Sequence, residues 1–90
     1  MATFKSKVTI VNGNGLHARP AGKVVALASQ FESEISILLN DNQADARSII
    51  SLMTLTASCG CELDIEANGS DAEQAVTAIV DLIKSKFEEQ

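Results

Sequence analysis

The chain contains one histidine and one proline, three residues apart in Gly15-Leu16-His17-Ala18-Arg19-Pro20-Ala21. An imidazole is a nucleophile and proton carrier near neutral pH. Arg19 adds a planar, permanently charged fork suited to phosphate oxygens. The residues after His17 read as a helix. Pro20 fits its first turn, where a missing N–H is tolerated. A helix start has N–H groups without intrahelical partners and the positive end of the dipole. It is therefore a site for an anion such as phosphate. The local reading is a histidine that accepts a phosphoryl group and holds it. A histidine here could equally be a surface or cap residue without chemistry, and the Arg-Pro pair is what favours the chemical reading.

The rest of the chain reads as a frame for that histidine. Residues 4–11 alternate, with Phe4, Val8 and Ile10 on one parity and Lys5, Lys7 and Thr9 on the other, which predicts a half-buried strand. Asn12-Gly13-Asn14-Gly15 is turn material and reads as flexible backbone leading to His17. Its Gly-x-Gly lacks a third glycine at nucleotide-binding spacing. Residues 18–30 form the predicted helix, with Ala21, Val24, Val25 and Ala28 on one face. Gly22 weakens that helix, and its small size suits close approach of a partner or another element.

Residues 33–40 read as a second strand, with Ile35, Ile37 and Leu39 on one side, and residues 43–46 as a short third strand returning in a hairpin. Ser48 is placed to cap a short helix. Ile49, Ile50, Leu52 and Met53 follow, apolar on more than one face, so that helix is buried or partly a docking surface. Residues 62–68 alternate with Leu63, Ile65 and Ala67 inward, and Cys61 shares that parity. Ser70-Asp71-Ala72-Glu73 matches a capping box. The helix it opens carries Ala72, Ala75, Val76, Ile79, Val80, Ile83 and Phe87 on one stripe, with Lys84 and Lys86 near its end. Four strands with helices on one face make a two-layer α+β sandwich. Strand order does not follow from the pattern.

Composition narrows the function. Ninety residues fit one domain, 1–90, and apolar content of 46% with three Phe and no Trp or Tyr calls for an aliphatic core. A net charge of −5 argues against nucleic acid or an anionic membrane as partner. There is no signal-peptide pattern and no run long enough to span a bilayer, so a cytoplasmic location is expected. Asn68-Gly69-Ser70 matches a glycosylation acceptor but reads better as a turn. Cys59 and Cys61 are too few for a disulfide framework and, without a nearby histidine, make a poor metal site. Cys61 reads as a small apolar residue and Cys59 as an incidental thiol.

The segment Gly15 to Ala21 resembles the active-site signature of HPr, the histidine phosphocarrier of the bacterial phosphoenolpyruvate-dependent phosphotransferase system. Ser48-Ile49-Ile50-Ser51-Leu52-Met53-Thr54-Leu55 resembles the family's second segment. Spacing, length and element order fit from end to end. The resemblance implies an open-faced sandwich, a four-stranded antiparallel sheet with three helices on one face. It implies a carrier rather than an enzyme, monomeric and without cofactor or metal of its own. Enzyme I would pass the phosphoryl group to Nδ1 of His17, Arg19 would steady the phosphohistidine, and a IIA component of an enzyme II would receive it. Gly22, Lys23, Ile49, Ile50 and Met53 would face these partners. Ser48 stands at the family's regulatory serine, the target of an HPr kinase/phosphorylase, although a helix N-cap explains a serine there as well.

Two features depart from the sugar-branch pattern. Ala26 and Ser29 stand where lysines commonly occur, while Lys23 is present. Lys23 and the Phe87-Glu88-Glu89 tail look more like the nitrogen-related branch. The competing classes are a regulatory interaction module acting through Ser48 with an idle histidine, and a redox or metal protein using Cys59 and Cys61.

Overall fold

Alternation of apolar and polar side chains builds four strands, and the computed structural model, which describes residues 2–88, joins them in one sheet. β1 (Thr3–Thr9), β2 (Glu34–Leu39), β3 (Asn42–Asp45) and β4 (Glu62–Asn68) lie in the order β1-β4-β2-β3, each neighbour antiparallel. β1 and β2 therefore run in the same direction, connected through α1 (Ala18–Ala28), with β4 inserted between them. This is a split β-α-β arrangement. With α2 (Ile49–Thr54) and α3 (Ala72–Lys84) it forms the open-faced α+β sandwich that the sequence predicts. α3 packs on β1, β4 and β2, α1 packs on α2 and α3, and α2 reaches β3.

The core is aliphatic. The inward parity of the strands, with Val8, Ile35, Ile37, Leu63 and Ile65, is buried against Val24, Leu52, Val76, Ile79 and Ile83 from the helices. Each fully buried Leu, Ile or Val contributes roughly 1.5–3 kcal/mol over an exposed one. On the opposite sheet face Lys7 bonds Asp64 at 2.9 Å and lies 3.8 Å from Glu62. The Asp64 carboxylate, first by hydrogen bond and then by charge, raises the Lys7 pKa. Such a solvated pair adds little to stability.

α3 departs from the sequence expectation at both ends. Asp71, not Ser70, is the N-cap of α3, and its side chain makes no cap bond. The Asp71 carboxylate turns instead to the loop before β2. There it accepts the Ser33 hydroxyl and, at 2.9 Å each, the Glu32 and Ser33 N–H groups. Three donors to the Asp71 carboxylate outcompete one cap bond, and the Ser70 hydroxyl donates to the Glu32 carboxylate at 3.4 Å, so the capping box does not form. At the other end α3 stops at Lys84, and Lys86 and Phe87 both take left-handed backbone (φ 59° and 57°). Phe87 is fully buried, but by this 3-10 turn rather than by a further helical turn. Its carbonyl accepts the Lys23 ammonium at 2.6 Å. Of the acidic tail, Glu89 lies outside the described residues.

Asp71 sets an acid limit. The Ser33 hydroxyl, then the Glu32 N–H, hold its pKa below the ordinary carboxylate range. Stability from a depressed carboxylate is present above its unfolded pKa and is lost as pH falls through the folded one. The parent is therefore expected to lose stability below about pH 4, and Asp71→Ala to be less stable at neutral pH and flatter in that window. Ser70→Ala should match the parent. Urea midpoints across pH 2–7 check this; an acid limb of equal depth in Asp71→Ala would remove Asp71 from it.

Candidate functional site

The turn-rich loop after β1 is pinned rather than flexible. Asn12 is buried, its Nδ2 donates to the Gly15 carbonyl at 2.9 Å, and the Gly15 N–H returns to the Asn12 carbonyl at 3.3 Å. Gly15 has φ +66°, and a Cβ there would run into the Ala57 carbonyl and come within 2.8 Å of Ser58 Cα. Only glycine combines that backbone with that clearance. Leu16 then fills the core, its N–H donating to the Ala57 carbonyl at 2.9 Å. The chain is held on both sides just before His17.

His17 is the N-cap of α1, with extended backbone (φ −91°, ψ −170°) and a side chain that makes no cap bond. Its carbonyl accepts the Ala21 N–H at 2.9 Å, and Pro20, buried in the first turn, has no N–H to leave open. No acidic residue sits in that first turn, so the positive end of α1 is not neutralised from within the helix. The His17 side chain is half-buried, and its Nε2 is buried with no hydrogen-bond partner among the described residues. Arg19 is exposed on the same turn. A nucleophilic residue at a helix start, with an arginine on the same turn, suits reversible attachment of a phosphoryl group.

Ser48 is the N-cap of α2, and its Oγ accepts the Ser51 N–H at 3.2 Å. α2 buries Leu52 completely and leaves Ile49 (42%), Met53 (42%) and above all Ile50 (77%) exposed. Because α2 packs on α1, this apolar patch belongs to the helix pair that begins with His17. Gly22 is half-buried on α1, yet a Cβ there would meet nothing within 4 Å, so close approach within the chain is not its reason. Lys23 is half-buried, and its ammonium donates to the Phe87 carbonyl.

Two residues escaped the sequence reading. Val11 is 43% exposed, and its signal was an apolar side chain on the polar parity of the strand. Asn12 looked like an ordinary turn residue, and nothing local marked it as buried. The thiols are both free, Cys59 exposed and Cys61 half-buried rather than inside. Donation from Ser58, by its N–H and then its hydroxyl, lowers the Cys61 pKa. Among the described residues no cluster of three or more His, Cys, Asp or Glu could hold a metal ion.

The family model described as "PTS HPr component phosphorylation site" matches residues 4–85. The chain belongs to the HPr family of phosphocarrier proteins. It is 40% identical over 86 residues to phosphocarrier protein HPr of Neisseria meningitidis serogroup A, covering 96% of this chain and 97% of that one. It is 39% identical over 89 residues to phosphocarrier protein NPr of Escherichia coli K12, covering 97% and 98%. The crystal structure of HPr-C-His from Thermoanaerobacter tengcongensis superposes with a TM-score of 0.92 at 41% identity, covering 97% of this chain and 98% of that chain. Among the described residues no helix is long and apolar enough to cross a membrane.

Proposed function

We propose that His17 receives a phosphoryl group on Nδ1 from phosphorylated enzyme I and passes it to a IIA component of an enzyme II. The observation that carries this is the placement of a half-buried histidine as N-cap of α1, its side chain not used for capping. The burial of Nε2 without a hydrogen-bond partner among the described residues supports Nδ1 as the reacting atom. Arg19 steadies the phosphohistidine with its charged fork. Gly22, Ile49, Ile50 and Met53 supply the centre of a small transient interface, where a few contacts carry most of the energy. Relatives named HPr and NPr match at 40% and 39% identity, so the proposal is the chemistry that both branches share. Incubation with enzyme I and labelled phosphoenolpyruvate tests it. The product should be acid-labile and alkali-stable, as phosphohistidine is. An unlabelled protein, or an acid-stable label, would refute it. Presenting enzyme I of the sugar and nitrogen systems side by side assigns the branch by the faster donor.

We further propose that Ser48 is a regulatory phosphorylation site. Its Oγ already lies at the N-terminus of α2, where a phosphate's charge of about −1.5 to −2 is tolerated by the backbone. That charge would fall beside Ile49 and Ile50 and repel acidic partner surfaces. Ser48→Ala removes the cap and should lower stability by about 1 kcal/mol. Ser48→Asp keeps a good cap, so it should unfold near the parent yet take phosphoryl from enzyme I more slowly. Equal transfer rates for Ser48→Asp and parent would leave the serine as a cap alone.

A further inference from the structure

Two buried polar atoms near the site have no hydrogen-bond partner among the described residues, and both belong to the segment that delivers the histidine: Asn12 Oδ1 and His17 Nε2. Asn12 is only 6% exposed, and a buried amide oxygen without a partner is penalised. The amide cannot simply be turned over. Nδ2 donates to the Gly15 carbonyl at 2.9 Å, and a flip would set Oδ1 against that carbonyl instead. Asn12 thus holds the peptide two residues before His17 with one end of its amide and keeps an acceptor unengaged at the other.

We propose that Asn12 is a positioning residue whose Oδ1 receives the Nε2–H of His17 in the phosphorylated state, directly or through one water. This rests on the reading of His17 Nδ1 as acceptor. Attack requires the Nδ1 lone pair, so the neutral ring carries its proton on Nε2. As the Nδ1–phosphorus bond forms, the donor's bond to phosphorus breaks and its electron pair stays with the donor. No proton leaves the ring. It keeps Nε2–H and gains positive charge, which makes Nε2–H a stronger donor in a place shielded from water. In the resting structure the two atoms are not bonded. A rotation of the imidazole, or a bridging water, joins them when the ring is charged. An interaction made mainly in the phosphorylated state stabilises that state rather than the fold.

The test uses parent protein with 15N-labelled histidine, phosphorylated by enzyme I and phosphoenolpyruvate. The proton on Nε2 should exchange slowly and show a nuclear Overhauser contact to the Asn12 side-chain amide. At a fixed phosphoenolpyruvate-to-pyruvate ratio, Asn12→Leu should lower the ratio of phosphorylated to free protein about tenfold, the worth of one such bond. Asn12→Asp keeps an acceptor oxygen but loses the Nδ2 clamp on Gly15. It should recover much of the parent ratio, whereas a purely structural clamp would leave it as poor as Asn12→Leu. Fast exchange of Nε2–H in the phosphorylated parent, with no contact to Asn12, overturns the proposal even if the variants fail to fold. So does an unchanged ratio in Asn12→Leu. A parent that takes no phosphoryl group overturns the acceptor reading itself, and this proposal with it.

Discussion

His17→Ala is expected to fall to background in phosphoryl acceptance from enzyme I while unfolding within about 0.5 kcal/mol of the parent. The loss should be complete because the chain has no second histidine. A serine or cysteine taking the group would give a linkage of different acid and alkali stability. The fold should survive because the His17 side chain makes no cap bond, so its removal takes no hydrogen bond from α1. It also removes a buried nitrogen that has no partner among the described residues. Labelling with phosphoenolpyruvate and a urea melt on the same sample check both halves. Labelling equal to the parent would sink the assignment of His17. Lost labelling together with a large drop in stability would mean that the variant reports folding and not chemistry.

Gly15→Ala is expected to be the most damaging small substitution near the site, lowering stability by about 2–4 kcal/mol. Two effects add. A non-glycine residue is strained at φ +66°, and the new Cβ meets the backbone of Ala57 and Ser58, which cannot rotate aside as a side chain would. Relief requires the loop to lift from the 57–58 segment, which pulls Leu16 from the core and shifts His17. The fraction that stays folded should therefore accept phosphoryl more slowly than the parent. Gly22→Ala is the control. It sits inside α1 with nothing within 4 Å of the new methyl, so it should raise stability by about 0.5–1 kcal/mol. Urea midpoints measure both. A Gly15→Ala protein as stable as the parent would show that the loop is not held as described.

What the sequence determined by itself was everything set by short-range geometry. The period-2 patterns of β1 and β4, the helical spacing around Val24 and the Ser48 cap follow from rules that span a few residues, and each appears in the fold. The position of His17 at a helix start is local too, written by Gly15, Pro20 and the apolar face that follows. Tertiary structure decided whatever needed a distant partner. β4 slots between β1 and β2 because its two faces of hydrogen bonds match strands far away in sequence, Thr3↔Asn68 on one side and Glu34↔Asn68 on the other. Periodicity carries no record of such pairing. Asp71 looked like part of a capping box until three donors from the 32–33 loop captured its carboxylate. Phe87 kept its helical parity but reached the core through a left-handed turn. Asn12, polar and between loop residues, reads locally as surface. It is buried in a loop tied on both sides to the distant 57–61 turn, with Gly60 and Cys61 bonded to Ile10 and Ala57 to Leu16. Burial of a polar group depends on what the rest of the chain lays on top of it, and only the folded chain contains that information.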